Sequence, residues 1–184
     1  MNNTVKIKFA KVRPDAIIPS KRDEDMGFDI YACFDEDYIK IDPQETKLIP
    51  TGIASACDSG YGFLLFERGS TGSKGIARRC GVIDSGYRNE WFVGLTNTTN
   101  KTLFISKLNT DELVEALVLD KENPFDWKFA DDEVLNSIVY PYSKAIVQAL
   151  IVQVPDTEVN ELSYDELKEI ESERGMGALG SSNK

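Results

Sequence analysis

The rhythm of its apolar residues is what most limits how this chain can fold. Through the first two-thirds they come in short runs, broken at close spacing by Gly, Pro, Asn or Asp. Val5, Ile7 and Phe9 alternate with Lys6 and Lys8, a period of two that sends successive side chains to opposite faces of a strand. Runs at 28–33, 38–41, 46–50, 61–66, 91–96, 102–106 and 145–154 also read as strands, and the turn formers between them predict a mainly β sandwich or barrel. Two stretches depart from this. Within 108–142, Leu113, Val114, Leu117 and Val118 recur at helical spacing behind a capping Asn109. Near the C-terminus, Ser163 and Glu166 form a capping-box pattern flanked by Leu162 and Leu167, which predicts a short helix to about Glu171. The stretch Arg174-Gly175-Met176-Gly177-Ala178-Leu179-Gly180-Ser181-Ser182 is too rich in glycine to hold one conformation unaided. The chain therefore divides into a β domain over 1–173, with a partly helical insertion at 108–142, and a glycine-rich tail over 174–184.

Composition narrows the chemistry. With no histidine, Ser-His-Asp and Cys-His nucleophilic catalysis and His-containing zinc sites are excluded. Cys33, Cys57 and Cys80 are odd in number and far apart, and read as buried small hydrophobes in a reducing compartment. Hydrolysis would have to use a carboxylate, a hydroxyl or a magnesium-type ion. A net charge of −10, from 21 basic and 31 acidic residues, argues against nucleic-acid binding. A polyphosphate ligand would have to arrive with a cation. No apolar run reaches the ~20 residues of a membrane span, and the first residues lack the apolar stretch of a signal peptide, so a cytoplasmic protein with no membrane contact is expected.

Three constellations carry candidate chemistry. In Glu67-Arg68-Gly69-Ser70-Thr71-Gly72-Ser73-Lys74-Gly75, glycines let backbone N–H groups approach an anion and Arg68 can fork onto phosphate oxygens, although a plain polar hairpin has the same composition. Gly81-Val82-Ile83-Asp84-Ser85-Gly86-Tyr87 sets a carboxylate that could orient water beside a ring that could face a sugar or base. Ordinary hairpin chemistry also accounts for it. The tail could close over phosphates with Arg174 and its N–H groups, or hang free.

Read in order, these elements resemble the motifs of the trimeric dUTPases. Asp25-Met26-Gly27-Phe28-Asp29-Ile30-Tyr31-Ala32 is similar to the first motif, Arg68 to Gly75 to the second, and Gly81 to Trp91 to the third. Ser143-Lys144-Ala145-Ile146-Val147-Gln148 resembles the fourth and Arg174 to Ser182 the fifth. The resemblance implies a distorted β-barrel or jelly-roll-like domain, a homotrimer with active sites shared between subunits, and Mg²⁺-assisted hydrolysis of dUTP to dUMP and pyrophosphate. It implies that Asp84 polarises the water attacking the α-phosphorus and that Tyr87 lies under the deoxyribose. Backbone groups of Gly81, Val82 and Ile83 would hold uracil. Arg68, Gly69, Ser70, Thr71 and Gln148 would serve the phosphates, with Arg174, Leu179, Gly180 and Ser181 closing from another subunit. Asp29 would support the metal through water.

The chain departs from the pattern at Gly69, Asn89, Ala145, Ala178 and Leu179. Leu179 stands where the tail normally carries a Phe over the uracil, so either the lid is aliphatic or an aromatic such as Trp91 or Phe92 supplies the ring. A dCTP deaminase would need an acid on the strand Phe92-Val93-Gly94-Leu95-Thr96-Asn97, which has none. A non-catalytic nucleotide sensor or partner-binding protein is the other reading. Under it, the acidic, apolar insertion at 108–142 would be a docking surface for a protein partner, as against a surface-packed excursion.

Overall fold

Short apolar runs between turn formers make short strands. The structure, a computed structural model, describes residues 4–120 and 126–172. The first strands are β1 (Ile7–Lys11), β2 (Phe28–Ile30), β3 (Tyr38–Ile41), β4 (Thr46–Pro50), β5 (Ile53–Cys57) and β6 (Tyr61–Glu67). A helical turn, α1 (Gly69–Gly72), leads to β7 (Ile76–Arg79), β8 (Val82–Ile83), β9 (Phe92–Asn97) and β10 (Leu103–Ser106). Helices α2 (Thr110–Val118) and α3 (Trp127–Asn136) precede β11 (Ile138–Pro141) and β12 (Val147–Gln153), and α4 (Tyr164–Lys168) follows. By contacts the chain forms two compact units, Met1–Val154 and Pro155–Lys184. No helix among the described residues is long and apolar enough to cross a membrane.

The strands of the first unit pair as β1-β5, β11-β10-β3, β2-β12-β6-β8 and β4-β9-β7. Among the described residues these four sheets share no strand, so their hydrogen bonding does not close a barrel. They surround one core that includes Ile30, Phe63, Leu65, Trp91, Val93 and Val147. Phe9, Phe63 and Trp91 meet there edge-on or tilted, with ring centres 5.1–5.8 Å apart. The apolar rhythm does not reveal β5 and β7. Ile53-Ala54-Ser55-Ala56-Cys57 is built mostly of small residues, and Ile76-Ala77-Arg78-Arg79 ends in two charges.

The segment 108–142 divides in two. Ile138–Pro141 is a strand of the main body, parallel to β10 with Leu103 opposite Ile138 and Ser106 opposite Pro141. Parallel neighbours need a connection of about a dozen residues or more, and α2 and α3 supply it. Asn109 caps α2 as expected, its side chain accepting from the Glu112 N–H at 3.0 Å. The sheet beneath is covered on both faces. Leu103, Ile105, Ile41 and Tyr140 enter the main core. Phe104 turns the other way, into a second core with Leu113, Val114, Leu117, Ala130 and Val134. This explains why Leu103-Phe104-Ile105 of β10 is an unbroken apolar run. On α3, Trp127, Phe129 and Leu135 stay exposed.

This topology makes a test. Joining Lys107 directly to Ser143 by a short Gly-Ser turn deletes β11 and Tyr140 and uncovers Phe104. The product is expected not to melt cooperatively. A linker of about 15 residues replacing only 109–136 keeps the crossover and is expected to fold with a lowered Tm, since losing the cover of one buried Phe costs about 3 kcal/mol or more. A short-turn variant that melts like the parent would show that the crossover is dispensable.

In the second unit, the Ser163 hydroxyl accepts from the Glu166 N–H and the Glu166 carboxylate accepts from the Ser163 N–H, so the capping box forms. The helix ends at Lys168, short of Glu171, and Leu162, Leu167 and Ile170 are exposed. The tail motif over 174–182 lies outside the described residues.

Candidate active site

The central strand β12 brings the first, second and fourth motifs together. Gln148 stands opposite Asp29 of β2 on one side and Phe66 of β6 on the other. Its side-chain amide donates to the Glu67 carbonyl at 2.9 Å. Gly27 lies against it: a Cβ at Gly27 would fall 2.7 Å from Gln148 Oε1. Just past β6, Arg68 forks onto Asp29, with Nε 2.9 Å from Oδ1 and Nη2 3.2 Å from Oδ2. Its Nη1 reaches the Ala145 carbonyl at 3.5 Å and Ser70 Oγ at 3.4 Å. These side chains line a cavity of about 710 Å³ together with Gly69, Ser20, Lys21, Arg22 and Asp25.

The second-motif loop is a helical turn and not a hairpin. The Arg68 N–H donates to Thr71 Oγ1 at 3.0 Å, and Thr71 Oγ1 in turn donates to the Arg68 carbonyl. Thr71 is 1% exposed, so this hydroxyl, expected among the phosphate ligands, holds the turn instead. Gly69 and Ser70 occupy the first turn, where backbone N–H groups have no partner inside the helix. Gly75, at φ +74°, ends the turn where any Cβ would strike Thr99. Burial pushes the Glu67 carboxyl up. The N–H groups of Arg78 and of Glu67 itself, with the charges of Arg78 and Arg79, outweigh burial and hold it below the usual range.

Tyr140 is a residue behind the cavity wall that the sequence did not reveal. Its ring is buried, yet its hydroxyl lies 2.7 Å from the Ala145 carbonyl and 3.5 Å from Ser70 Oγ. It sits inside the stretch expected to be an insertion, so nothing local marked it. Lys21 and Arg22 escaped for a similar reason: only the bridge between Ser20 and Asp29, with the Asp29 N–H on the Ser20 carbonyl at 3.0 Å, folds their loop over the cavity.

The third motif lies elsewhere on the same sheet. Val82 and Ile83 pair with Leu64 and Phe63, and the Gly81 carbonyl accepts from the Leu65 N–H at 2.7 Å. Asp84 is exposed at the tip, and the Tyr87 N–H closes the turn on its carbonyl at 3.1 Å. The Tyr87 hydroxyl donates to the Glu90 carbonyl at 3.1 Å, which fixes a half-open ring. Continuing the register puts Asp84 beside Gly62, four residues from Phe66 and six from Arg68, or roughly 13–20 Å along β6. One chain therefore does not bring Asp84 to the Arg68 cavity. Of the two aromatics considered for the lid, Trp91 is 0% exposed and has no ring face to offer, whereas Phe92 is 43% exposed.

The cysteines differ from one another. Cys33 is buried, Cys57 half-buried and Cys80 exposed, so the expectation of three buried thiols holds only for the first. Burial, then the adjacent Asp15 carboxylate, push the Cys33 thiol up to about 11, which leaves it unreactive near neutral pH.

Comparison with known proteins points one way. The family model for dUTPase matches residues 13–110. The deoxyuridine 5'-triphosphate nucleotidohydrolase of Nautilia profundicola is 31% identical over 188 residues, covering 98% of this chain and 100% of that protein. Among solved structures, a variant of the Staphylococcus bacteriophage 80alpha dUTPase with dUpNHpp superposes with a TM-score of 0.67 at 22% identity, covering 96% of this chain and 98% of that one. A variant dUTPase from phage phi11 of S. aureus, whose structure describes the coordination of a structural Mg(II) ion, gives 0.59 at 19% identity, covering 86% and 97%. At these identities the two structures establish the fold.

Proposed function

Since this chain belongs to the dUTPase family of dUTP diphosphatases, we propose that it hydrolyses dUTP to dUMP and pyrophosphate in sites shared between the subunits of a homotrimer. The observation that carries the shared site is the separation along β6. Arg68, Asp29, Ser70 and Gln148 converge on one cavity while the exposed Asp84 turn lies roughly 13–20 Å away. One phosphorus can meet both only if a second copy supplies the turn.

In that arrangement the Arg68 guanidinium offers phosphate oxygens the fork it now gives Asp29. The N–H groups of Gly69 and Ser70 and the Ser70 hydroxyl add donors, and Gln148 orients the water shell. From the neighbouring copy, Asp84 takes a proton from the water that attacks the α-phosphorus in line. The sheet edge at Val82, on the outermost strand β8, meets uracil, and Tyr87, held by the Glu90 carbonyl, packs under the sugar. Arg174, Leu179, Gly180 and Ser181 of the tail would close from another subunit, with Phe92 available as the lid ring.

Mg²⁺ suits the donors present. Among the described residues no group of three or more acidic, His or Cys side chains could cage a metal, and Asp29 offers one hard carboxylate beside the cavity. Mg²⁺ is commonly held by one or two carboxylates with waters and substrate phosphates. When bound, the ion neutralises phosphate charge, which offsets the chain's net charge of −10.

Pyrophosphate release from dUTP, UTP and dCTP, with Mg²⁺ and with EDTA, tests the reading. The purified protein is expected to sediment at three times its 20.6 kDa chain mass and to act on dUTP alone. A 2′-hydroxyl forced against the Tyr87 ring without a partner should lower kcat/KM for UTP by about 10²-fold or more, a gap that Tyr87→Ala narrows. Equal rates on UTP and dUTP would sink the sugar assignment, and ammonia released from dCTP would revive the deaminase-like reading.

A further inference from the structure

The cavity beside Arg68 holds more positive charge than the motifs account for. Lys21 and Arg22 share it with Arg68, and Asp25 and Asp29 are its carboxylates. Arg22 forks onto Asp25, with Nε to Oδ2 and Nη2 to Oδ1 both 2.8 Å. The Arg22 side chain is 87% exposed, so this pair is weak and easily exchanged for a better anion. The Lys21 ammonium is bonded to the carbonyls of Asp25 at 2.7 Å and Arg22 at 3.2 Å. Carbonyls do not neutralise it; after the Arg22 hydrogen bonds, its charge also helps hold the Asp25 carboxyl below the usual range, and it lies 5.9 Å from the centre of the Phe28 ring, at the cavity wall. The bridge from Ser20 to Asp29 fixes the start of this loop to the strand that carries Arg68's partner. A concentration of cations here, in a chain of net charge −10, calls for a ligand.

We propose that Lys21 and Arg22 form a second cationic jaw that, with Arg68, grips the terminal phosphates of the triphosphate. Asp25 holds Arg22 until the polyanion arrives. The proposal rests on the dUTP reading and adds to it the residues that select a triphosphate over a monophosphate. It also gives the Arg22–Asp25 pair a role opposite to a structural one. If the pair merely braces the loop, removing either partner does the same harm. If Asp25 competes with phosphate for Arg22, removing Asp25 helps and removing Arg22 hurts.

The test uses the full chain, with dUTP as substrate and inorganic tripolyphosphate and dUMP as competitive inhibitors. Lys21→Ala and Arg22→Gln are expected each to raise KM for dUTP and Ki for tripolyphosphate about five- to tenfold. They should leave kcat within about threefold and Ki for dUMP within about twofold. Arg22→Lys should recover part of the loss. Asp25→Asn is expected to lower KM and the tripolyphosphate Ki. Shifts of the same sign for Arg22→Gln and Asp25→Asn, or equal losses for dUMP and tripolyphosphate, would overturn the jaw. Calorimetric binding of tripolyphosphate to the same variants reads the jaw without turnover. A wild type that binds tripolyphosphate through Lys21 and Arg22 yet releases no pyrophosphate from dUTP would overturn the hydrolase reading and leave the jaw standing.

Discussion

Asp84→Asn is expected to keep dUTP binding within a few-fold and to lower kcat by roughly 10³-fold, the middle of the range for losing a positioned general base. The turn from Asp84 to Tyr87 is held by the Tyr87 N–H on the Asp84 backbone carbonyl and by the Tyr87 hydroxyl on the Glu90 carbonyl. Neither bond uses the Asp84 carboxylate, so the substitution leaves the turn and the sugar platform in place. What it removes is a proton acceptor, in a chain with no histidine to take over. An effect confined to kcat identifies a group that acts in the transition state. Single-turnover kinetics with Mg²⁺ check it, and a variant turning over within tenfold of the parent would end the assignment of Asp84 as base.

Arg68→Gln carries the second large effect, a fall of about 10²–10³-fold in kcat/KM with a smaller loss of stability. In the free protein Arg68 joins Asp29, the Ala145 carbonyl and Ser70, so it ties the ends of β2, β6 and β12 together. The Arg68–Asp29 pair is about one-third exposed on both sides, which limits its contribution to about 1 kcal/mol of stability. Under the proposed function its larger role is to present two parallel N–H donors to phosphate. Arg68→Lys keeps the charge and loses the fork, and should recover less than a tenth of the activity. Steady-state kinetics and thermal melts on both variants separate the two roles. Full activity in Arg68→Lys would mean that charge alone suffices.

The strands with alternating or continuous apolar runs were legible. β3 and β4 fall on 38–41 and 46–50, and the caps Asn109 and Ser163 form as their patterns indicate. β5 and β7 were not legible, because small or charged residues held in place by distant partners carry no local period. The site was readable as a set of residue types in order. Thr71 and Trp91 show the limit of that reading: a hydroxyl after Arg68 looks like a phosphate ligand until it is seen closing its own turn, and a ring beside the hairpin looks like a lid until Phe9 and Phe63 cover it.

By itself the sequence determined the class of strand-rich fold and the exclusion of histidine chemistry, and it nominated the carboxylate, ring and guanidinium that the proposed reaction uses. These follow from residue type and near-neighbour spacing, which act locally. Only the tertiary structure decided that β10 and β11 run parallel and need α2 and α3 between them. It alone placed the Tyr140 hydroxyl behind Ser70, brought Lys21 and Arg22 to the Arg68 cavity, and held Asp84 several residues away along β6. Register and burial arise from pairing between segments far apart in the chain. No local pattern encodes where along a shared strand two motifs come to rest.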